Sequence, residues 1–196
     1  RYLLLQPGRK AGKETIIEAL WPEHDYESGN NLLHQATSSL RRILEPDLPE
    51  KFPSRYLEYE GERLFLRLPP GSLIDFEQFE TNLHAAMSSR KADLIQEALR
   101  LYTGDLLPQD QFFDWTAELR THLSELYMEG LVTLATLYLE QEDYADALDR
   151  VNQVMRLDPW NEEAALIGMK TYLQLGSAPH ALRLYNHLQC RYRIFP

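Results

Sequence analysis

Between Asn30 and Glu45 the apolar residues recur at the spacing of one helical face. At about 100° per residue, Leu32, Leu33, Ala36, Leu40, Ile43 and Leu44 share an arc of about 120°. The opposite side carries Asn31, His34, Ser38 and Arg42, flanked by Gln35 and Arg41, with no carboxylate until Glu45. Ser28 or Asn30 can cap the start, and Pro46 prevents continuation. Asn, Gln, Ser and Arg are the residue types that reach base edges and phosphates in a major groove. An ordinary solvated helix face is the competing reading, and the flanking elements decide between the two.

Upstream, Arg1–Gln6 reads as the tail of a helix that Pro7-Gly8 ends, and Lys13–Leu20 as a short helix with Ile16, Ile17, Leu20 and Trp21 on its apolar side. Downstream, residues 56–59 and 64–68 read as two strands around Glu60-Gly61-Glu62, with Leu64, Leu66 and Leu68 inward and Arg63 and Arg67 outward. Helix, helix, exposed helix, hairpin is the order of a winged helix-turn-helix, in which the last helix enters the major groove and the hairpin lies against the backbone or minor groove. Pro69-Pro70-Gly71 marks a boundary.

Beyond it the pattern is helical throughout: Phe76–Ser88, Asp93–Tyr102, one long or two abutting helices over Phe112–Gln141, then Tyr144–Leu157, Glu162–Leu175 and Ala178–Arg193. Ala135, Tyr138, Ala147 and Val151 recur 34 residues later as Met169, Tyr172, Ala181 and Tyr185, and Leu148 and Val154 as Leu182 and Leu188. The first hairpin fits with an offset of 49, which lays Ala86, Ala98, Leu99 and Tyr102 on Ala135, Ala147, Leu148 and Val151. A period of 34 with Tyr and Ala at fixed places is the tetratricopeptide pattern, in which stacked hairpins bury a core that none could bury alone. Tyr138, Tyr172 and Tyr185 are expected in that core, with Trp115 and Trp160 as packing anchors.

Charge divides the chain in the same way. Of 196 residues carrying a net charge of −10, residues 1–70 hold 10 Lys/Arg against 11 Asp/Glu, and residues 71–196 hold 10 against 19. DNA binding therefore belongs to the near-neutral first part. Cys190 is the only cysteine, which excludes an intrachain disulfide or a cysteine-based zinc site, fits a cytoplasmic protein, and suggests a small buried or half-buried residue. No apolar run approaches the about 18 residues of a membrane span, and no signal peptide is visible. Arg1 begins mid-pattern without Met, so the chain reads as a fragment of a longer protein.

Both halves together resemble one known arrangement. RYLLLQPGRKAGKETIIEALWPE and NNLLHQATSSLRRILEP are similar to the winged helix of bacterial activators of the Streptomyces antibiotic regulatory protein type, relatives of the OmpR-like domains, through Trp21, Asn31, Leu32, Leu40, Arg41, Leu44 and Pro46. PPGSLIDFEQFE, ALRLYTGDLLP and DWTAELRTHLSELY resemble the bacterial transcriptional activator domain, through Asp75, Phe79, Leu101, Tyr102, Gly104, Leu107, Pro108, Trp115, Arg120 and Leu123. The resemblance implies binding to repeated promoter sites, recruitment of RNA polymerase, and self-association or partner contacts through the second domain. The chain departs from that pattern in lacking a sheet ahead of its first helix, in the acidic hairpin residues Glu58, Glu60 and Glu62, and in the absence of a positive charge over residues 1–70. Acids near phosphates repel; Arg55, Arg63 and Arg67 compensate if they face the DNA, and tandem copies raise affinity through effective concentration.

No catalytic constellation stands out. Gly12-Lys13-Glu14-Thr15 fails as a phosphate-binding loop, because Gly8 lies one residue too near and Glu14 replaces the magnesium-holding Ser or Thr. The six histidines make no metal-binding spacing. The expectation is a mainly α, non-enzymatic transcription regulator without cofactors. Residues 1–68 form its winged helix-turn-helix, N-terminally incomplete, with a small β-hairpin wing. Residues 69–196 form an all-α tetratricopeptide-like activator domain. The DNA-contact candidates are Asn31, His34, Gln35, Ser38, Arg41, Arg42, Lys13 and Arg63. The partners are double-stranded promoter DNA, RNA polymerase and another copy, with no membrane. The alternative is a protein-interaction module whose winged helix no longer binds DNA.

Overall fold

The computed structural model describes residues 1–49 and 52–194, with side chains as far as Cys190. The chain is mainly helical with one small antiparallel sheet, and it divides into two compact units. Unit 1 comprises Arg1–Ser72 and Leu107–Leu119, and unit 2 comprises Leu73–Leu106 and Arg120–Pro196. Residues 107–119, read in the sequence as belonging with the second part, thus return to the first.

In unit 1, helix α1 (Tyr2–Leu5) leads through a tight turn to β1 (Lys10–Gly12), α2 (Lys13–Leu20), α3 (Tyr26–Leu44), β2 (Leu57–Glu60) and β3 (Arg63–Leu66). The expected hairpin is present with a tighter turn: Glu60, expected in the turn, ends β2 opposite Arg63 across Gly61-Glu62, with Gly61 in the left-handed region that a two-residue turn needs. Leu64 is buried, whereas Leu66 and Leu68 are half-buried and the strand stops at Leu66. β1 was not expected. It pairs antiparallel with β3, Lys10 opposite Phe65 and Gly12 opposite Arg63, giving the order β1-β3-β2. Three residues are too few to display alternation, so the pairing is invisible in the sequence.

Tyr2, Ile16, Ile17, Leu33 and Leu64 form the core of this unit. Trp115 packs against it, edge-on to Tyr2 at 5.5 Å, and the Arg1 guanidinium donates to Asp110 at 2.8 Å.

Helix α3 begins four residues earlier than the pattern suggested. Its cap is neither Ser28 nor Asn30 but Asp25, whose carboxylate accepts the Ser28 N–H at 2.8 Å. Gly29 therefore lies inside the helix, buried against α2: a Cβ there would stand 2.2 Å from Ile17 Cγ2. The buried stripe is Gly29, Leu33 and Thr37, and the Thr37 hydroxyl is satisfied by donating to the Leu33 carbonyl at 2.9 Å. The expected apolar arc holds only in part. Leu40 and Leu44 are exposed and Ile43 is 74% exposed. The eight residues of α2 make it about 12 Å long, too short to cover the about 28 Å of a 19-residue helix.

Unit 2 contains α4 (Asp75–Ser89), α5 (Ala92–Leu99), most of α6 (Asp114–Glu140), α7 (Tyr144–Leu157), α8 (Glu162–Gln174) and α9 (Ala178–Ile194). α4 packs on α5, α7 on α8 and α8 on α9. Its core includes Phe79, Leu83, Ile95, Leu131, Leu134, Ala135, Ala147, Val151 and Val154. Left-handed residues at Arg90, Glu142 and Gly176 mark the bend after α4, α6 and α8. The last two are 34 residues apart, and the first two are 52 apart, not 49. The spacing of 52 lays buried Ile95 and Leu99 on buried Ala147 and Val151. A slip of three residues is nearly one helical turn and still superimposes apolar on apolar, which is why the shorter offset looked acceptable in the sequence. Tyr138 and Tyr172 are half-buried, but Tyr185 is 46% exposed and Cys190 is exposed, against expectation. Both lie on α9, against which no later helix packs among the described residues. Trp160 stacks on His187 at 4.8 Å, and the His187 ring nitrogen lies 2.9 Å from the Pro159 carbonyl oxygen.

Gly29→Ala removes a helix-weakening residue, yet the 2.2 Å contact with Ile17 outweighs that gain. Urea unfolding should show a loss of about 1–3 kcal/mol; a gain in stability would disprove the close approach of α2 and α3. Both ends of α3 are held by carboxylates. Asp25 is lowered in pKa by the Ser28 N–H, and Glu45 by the Ser54 hydroxyl and then the Arg55 N–H. Depressed folded-state pKa values mean that this stabilisation is present above the ordinary carboxylate range and is lost as pH falls through the lowered values. Thermal unfolding of the Asp25→Asn, Glu45→Gln double variant should therefore depend less on pH below about 4 than that of the parent chain.

Candidate nucleic-acid interface

The inward stripe of α3 determines what faces outward. With Gly29, Leu33 and Thr37 buried, Asn31, His34, Gln35, Ser38 and Arg42 fall on the far side, and all five are exposed. At 1.5 Å per residue, Asn31 to Arg42 spans about 16 Å, or about five base-pair steps of a duplex. No carboxylate lies on α3 between Glu27 in its first turn and Glu45 at its C-cap.

Arg41 is different from its neighbour. It is half-buried, and its guanidinium donates to the Phe52 carbonyl at 2.5 Å, tying the segment after α3 back onto the helix. At the same end Glu45 accepts from the Ser54 hydroxyl and from the Arg55 N–H at 3.1 Å. Ser54 is buried, so these bonds fix the approach to β2.

The hairpin acids are paired. Arg67 donates to Glu58 at 2.7 Å and to Glu60 at 3.2 Å, and the Glu58 carboxylate raises its pKa. Lys13 lies 3.2 Å from Glu62 and sits 5.3 Å from the centre of the Tyr59 ring, with only 17% of its side chain exposed. Lys13 and Arg67 thus engage the hairpin's own carboxylates, whereas Arg63 on β3 is exposed.

Tyr59 is a positioning residue that pattern reading passed over as an ordinary strand residue. Its hydroxyl donates to Thr37 Oγ1 at 3.4 Å, and its ring lies 6.3 Å from that of His34. It ties the hairpin to the middle of α3. The signal for it lay in the pair Thr37 and Tyr59, a hydroxyl on an otherwise apolar face and a phenol on a short strand, but only the folded geometry brings them together.

Among the described residues no cluster of His, Cys, Asp and Glu could hold a metal ion, and no helix is long and apolar enough to cross a membrane.

Comparison with known proteins bears on the helical part of the chain that follows this surface. The profile of the bacterial transcriptional activator domain matches residues 74–193. Regulatory protein AfsR of Streptomyces coelicolor is 25% identical over 190 residues, covering 93% of this chain. The chain spans 18% of that relative's length. With the profile covering more than half of its residues, the chain belongs to the bacterial transcriptional activator domain family.

Proposed function

We propose that this chain acts in a transcription regulator, with unit 1 working as a winged helix-turn-helix on double-stranded promoter DNA. The reading rests above all on the exposed, carboxylate-free stripe of Asn31, His34, Gln35, Ser38 and Arg42 along one helix. Such side chains donate and accept at base edges and phosphates. The pairing of Glu58, Glu60 and Glu62 with Arg67 and Lys13 supports it further, because it reduces the repulsion an acidic wing would exert on phosphates. Within this reading Arg42 is the leading contact and Arg63 its counterpart on the hairpin. Arg41 shapes the end of the helix, and Lys13 serves the wing.

Unit 2, read as tetratricopeptide-like, carries the contacts with RNA polymerase, a regulatory partner or another copy. Family membership and the likeness to a protein named as regulatory support a regulatory role over an enzymatic one, exercised in the cytoplasm where bacterial promoters lie. The exposed Ile43, beside Leu40 and Leu44, supports a second reading in which the end of α3 docks a protein.

Fluorescence titration against duplexes carrying promoter repeats separates these readings. The DNA reading predicts binding that weakens as salt rises. Arg42→Glu should lower affinity at least about tenfold and reduce the salt slope by about 1, with unfolding unchanged. Binding indifferent to Arg42→Glu would overturn the assignment of α3 as the reading helix. Loss of partner binding on Ile43→Glu, with no DNA binding by the parent chain, would favour the docking module.

A further inference from the structure

The side chains that point straight away from the core of unit 1 are uncharged along most of α3. Taking the buried Leu33 as the inward direction and about 100° per residue, Asn31, Gln35, Ser38 and Arg42 lie within about 40° of the opposite pole. All four are exposed. Among the described residues the amides of Asn31 and Gln35 have no hydrogen-bond partner, so both their donors and their acceptors are free. His34 and Arg41 lie to one side, about 80° and about 100° from that pole. There His34 stands 6.3 Å from the Tyr59 ring, and the Phe52 carbonyl holds the Arg41 guanidinium. From Tyr26 to Leu40 the helix carries no Lys or Arg, and its two arginines stand in the last turn.

This order separates two tasks. In a helix-turn-helix the leading residues of the reading helix meet base edges, whereas phosphate contacts position the protein and carry no sequence information. Asn31 and Gln35 fall in the leading half of α3. Arg42 stands about 16 Å beyond Asn31, in the trailing turn. A carboxamide presents N–H donors and a carbonyl acceptor side by side. The major-groove edge of adenine presents the complementary pair, the N7 acceptor and the N6 donor. Guanine presents two acceptors there, so the amide carbonyl would face another oxygen or nitrogen lone pair. Cytosine offers only its N4 donor, and thymine only O4 beside a methyl group. Arginine, the side chain that pairs with guanine O6 and N7, is missing from this part of the helix, and the Ser38 hydroxyl suits either kind of base. Asn31 and Gln35 are one turn apart, about 6 Å, or about two base-pair steps.

We infer that Asn31 and Gln35 make the outward face of α3 an adenine-reading site. Each amide donates to N7 and accepts from N6 of one adenine, the two adenines lie about two base-pair steps apart, and Arg42 binds backbone phosphate. The inference rests on the DNA reading above and adds to it the base that the helix selects.

Selection from duplexes with a randomised centre, followed by titration of the selected sites, tests it. The parent chain should enrich two adenines at that separation. Asn31→Ala and Gln35→Ala should each lower the preference for one of them at least about fivefold and leave the salt slope unchanged. Both positions are exposed, so the variants should keep the parent's circular dichroism and unfolding temperature. 7-Deazaadenine at either position keeps the base pair and the N6 amino group but lacks N7. It should weaken binding of the parent by a similar factor and leave the matching alanine variant unaffected, which ties one amide to one base. Enriched sites without the two adenines, alanine variants that keep the parent's preferences, or a parent indifferent to 7-deazaadenine would each overturn the inference and leave DNA binding standing. Failure of the parent to bind any duplex would overturn the DNA reading itself, and the inference with it.

Discussion

The closeness of α3 to α2 governs how unit 1 presents its surface. Gly29 lets the two helices meet where any Cβ would collide with Ile17, and that contact fixes the rotation of α3 about its axis. From this rotation the rest follows. Leu33 and Thr37 face the core, the Thr37 hydroxyl closes on its own helix, and Tyr59 reaches Thr37 from the hairpin. The polar stripe faces outward because the glycine faces inward. A rotation of α3 by one residue, about 100°, would bury part of that stripe and disconnect the hairpin from the helix.

The same device recurs in unit 2, where Gly130 and Gly168 receive Leu99 and Val151. Glycine inside a helix lowers helix propensity by about 1 kcal/mol relative to alanine. At Gly29 the loss is offset by a contact that only a missing Cβ permits, and at Gly130 and Gly168 a Cβ would crowd the ends of leucine and valine side chains. Packing between helices, more than the preferences of individual helices, sets the geometry.

Much of this was legible in the chain. Periodicity alone located α2 and α7 to the residue and the hairpin to within a few, because Ile16 and Ile17, Ala147 and Val151, and Leu64 are core residues spaced by their element's own period. The misses have specific causes. The apolar pattern begins only after the first turn of α3, because Asp25 caps the helix four residues earlier and Gly29 is a close-packing residue inside it. Ile43 shares the apolar arc yet is exposed, because periodicity reports one face of a helix and not the length of its partner. β1 is too short for any pattern, and the offset of 49 falls three residues short of the spacing of the bends because a helical face tolerates such a slip. In the candidate interface, the exposure of Asn31, His34, Gln35, Ser38 and Arg42 followed from the pattern. The diversion of Arg41 to the Phe52 carbonyl and of Lys13 to Glu62 did not, because both depend on contacts between segments remote in sequence.

The central claim is that the outward stripe of α3 lies against a duplex. Amide chemical shifts of the labelled chain, followed while double-stranded DNA carrying promoter repeats is added, test it residue by residue. The account predicts salt-sensitive perturbations concentrated at residues 31–42 and around Arg63, with the buried stripe of Gly29 and Leu33 little affected. Perturbations absent from α3, or confined to unit 2, would contradict it.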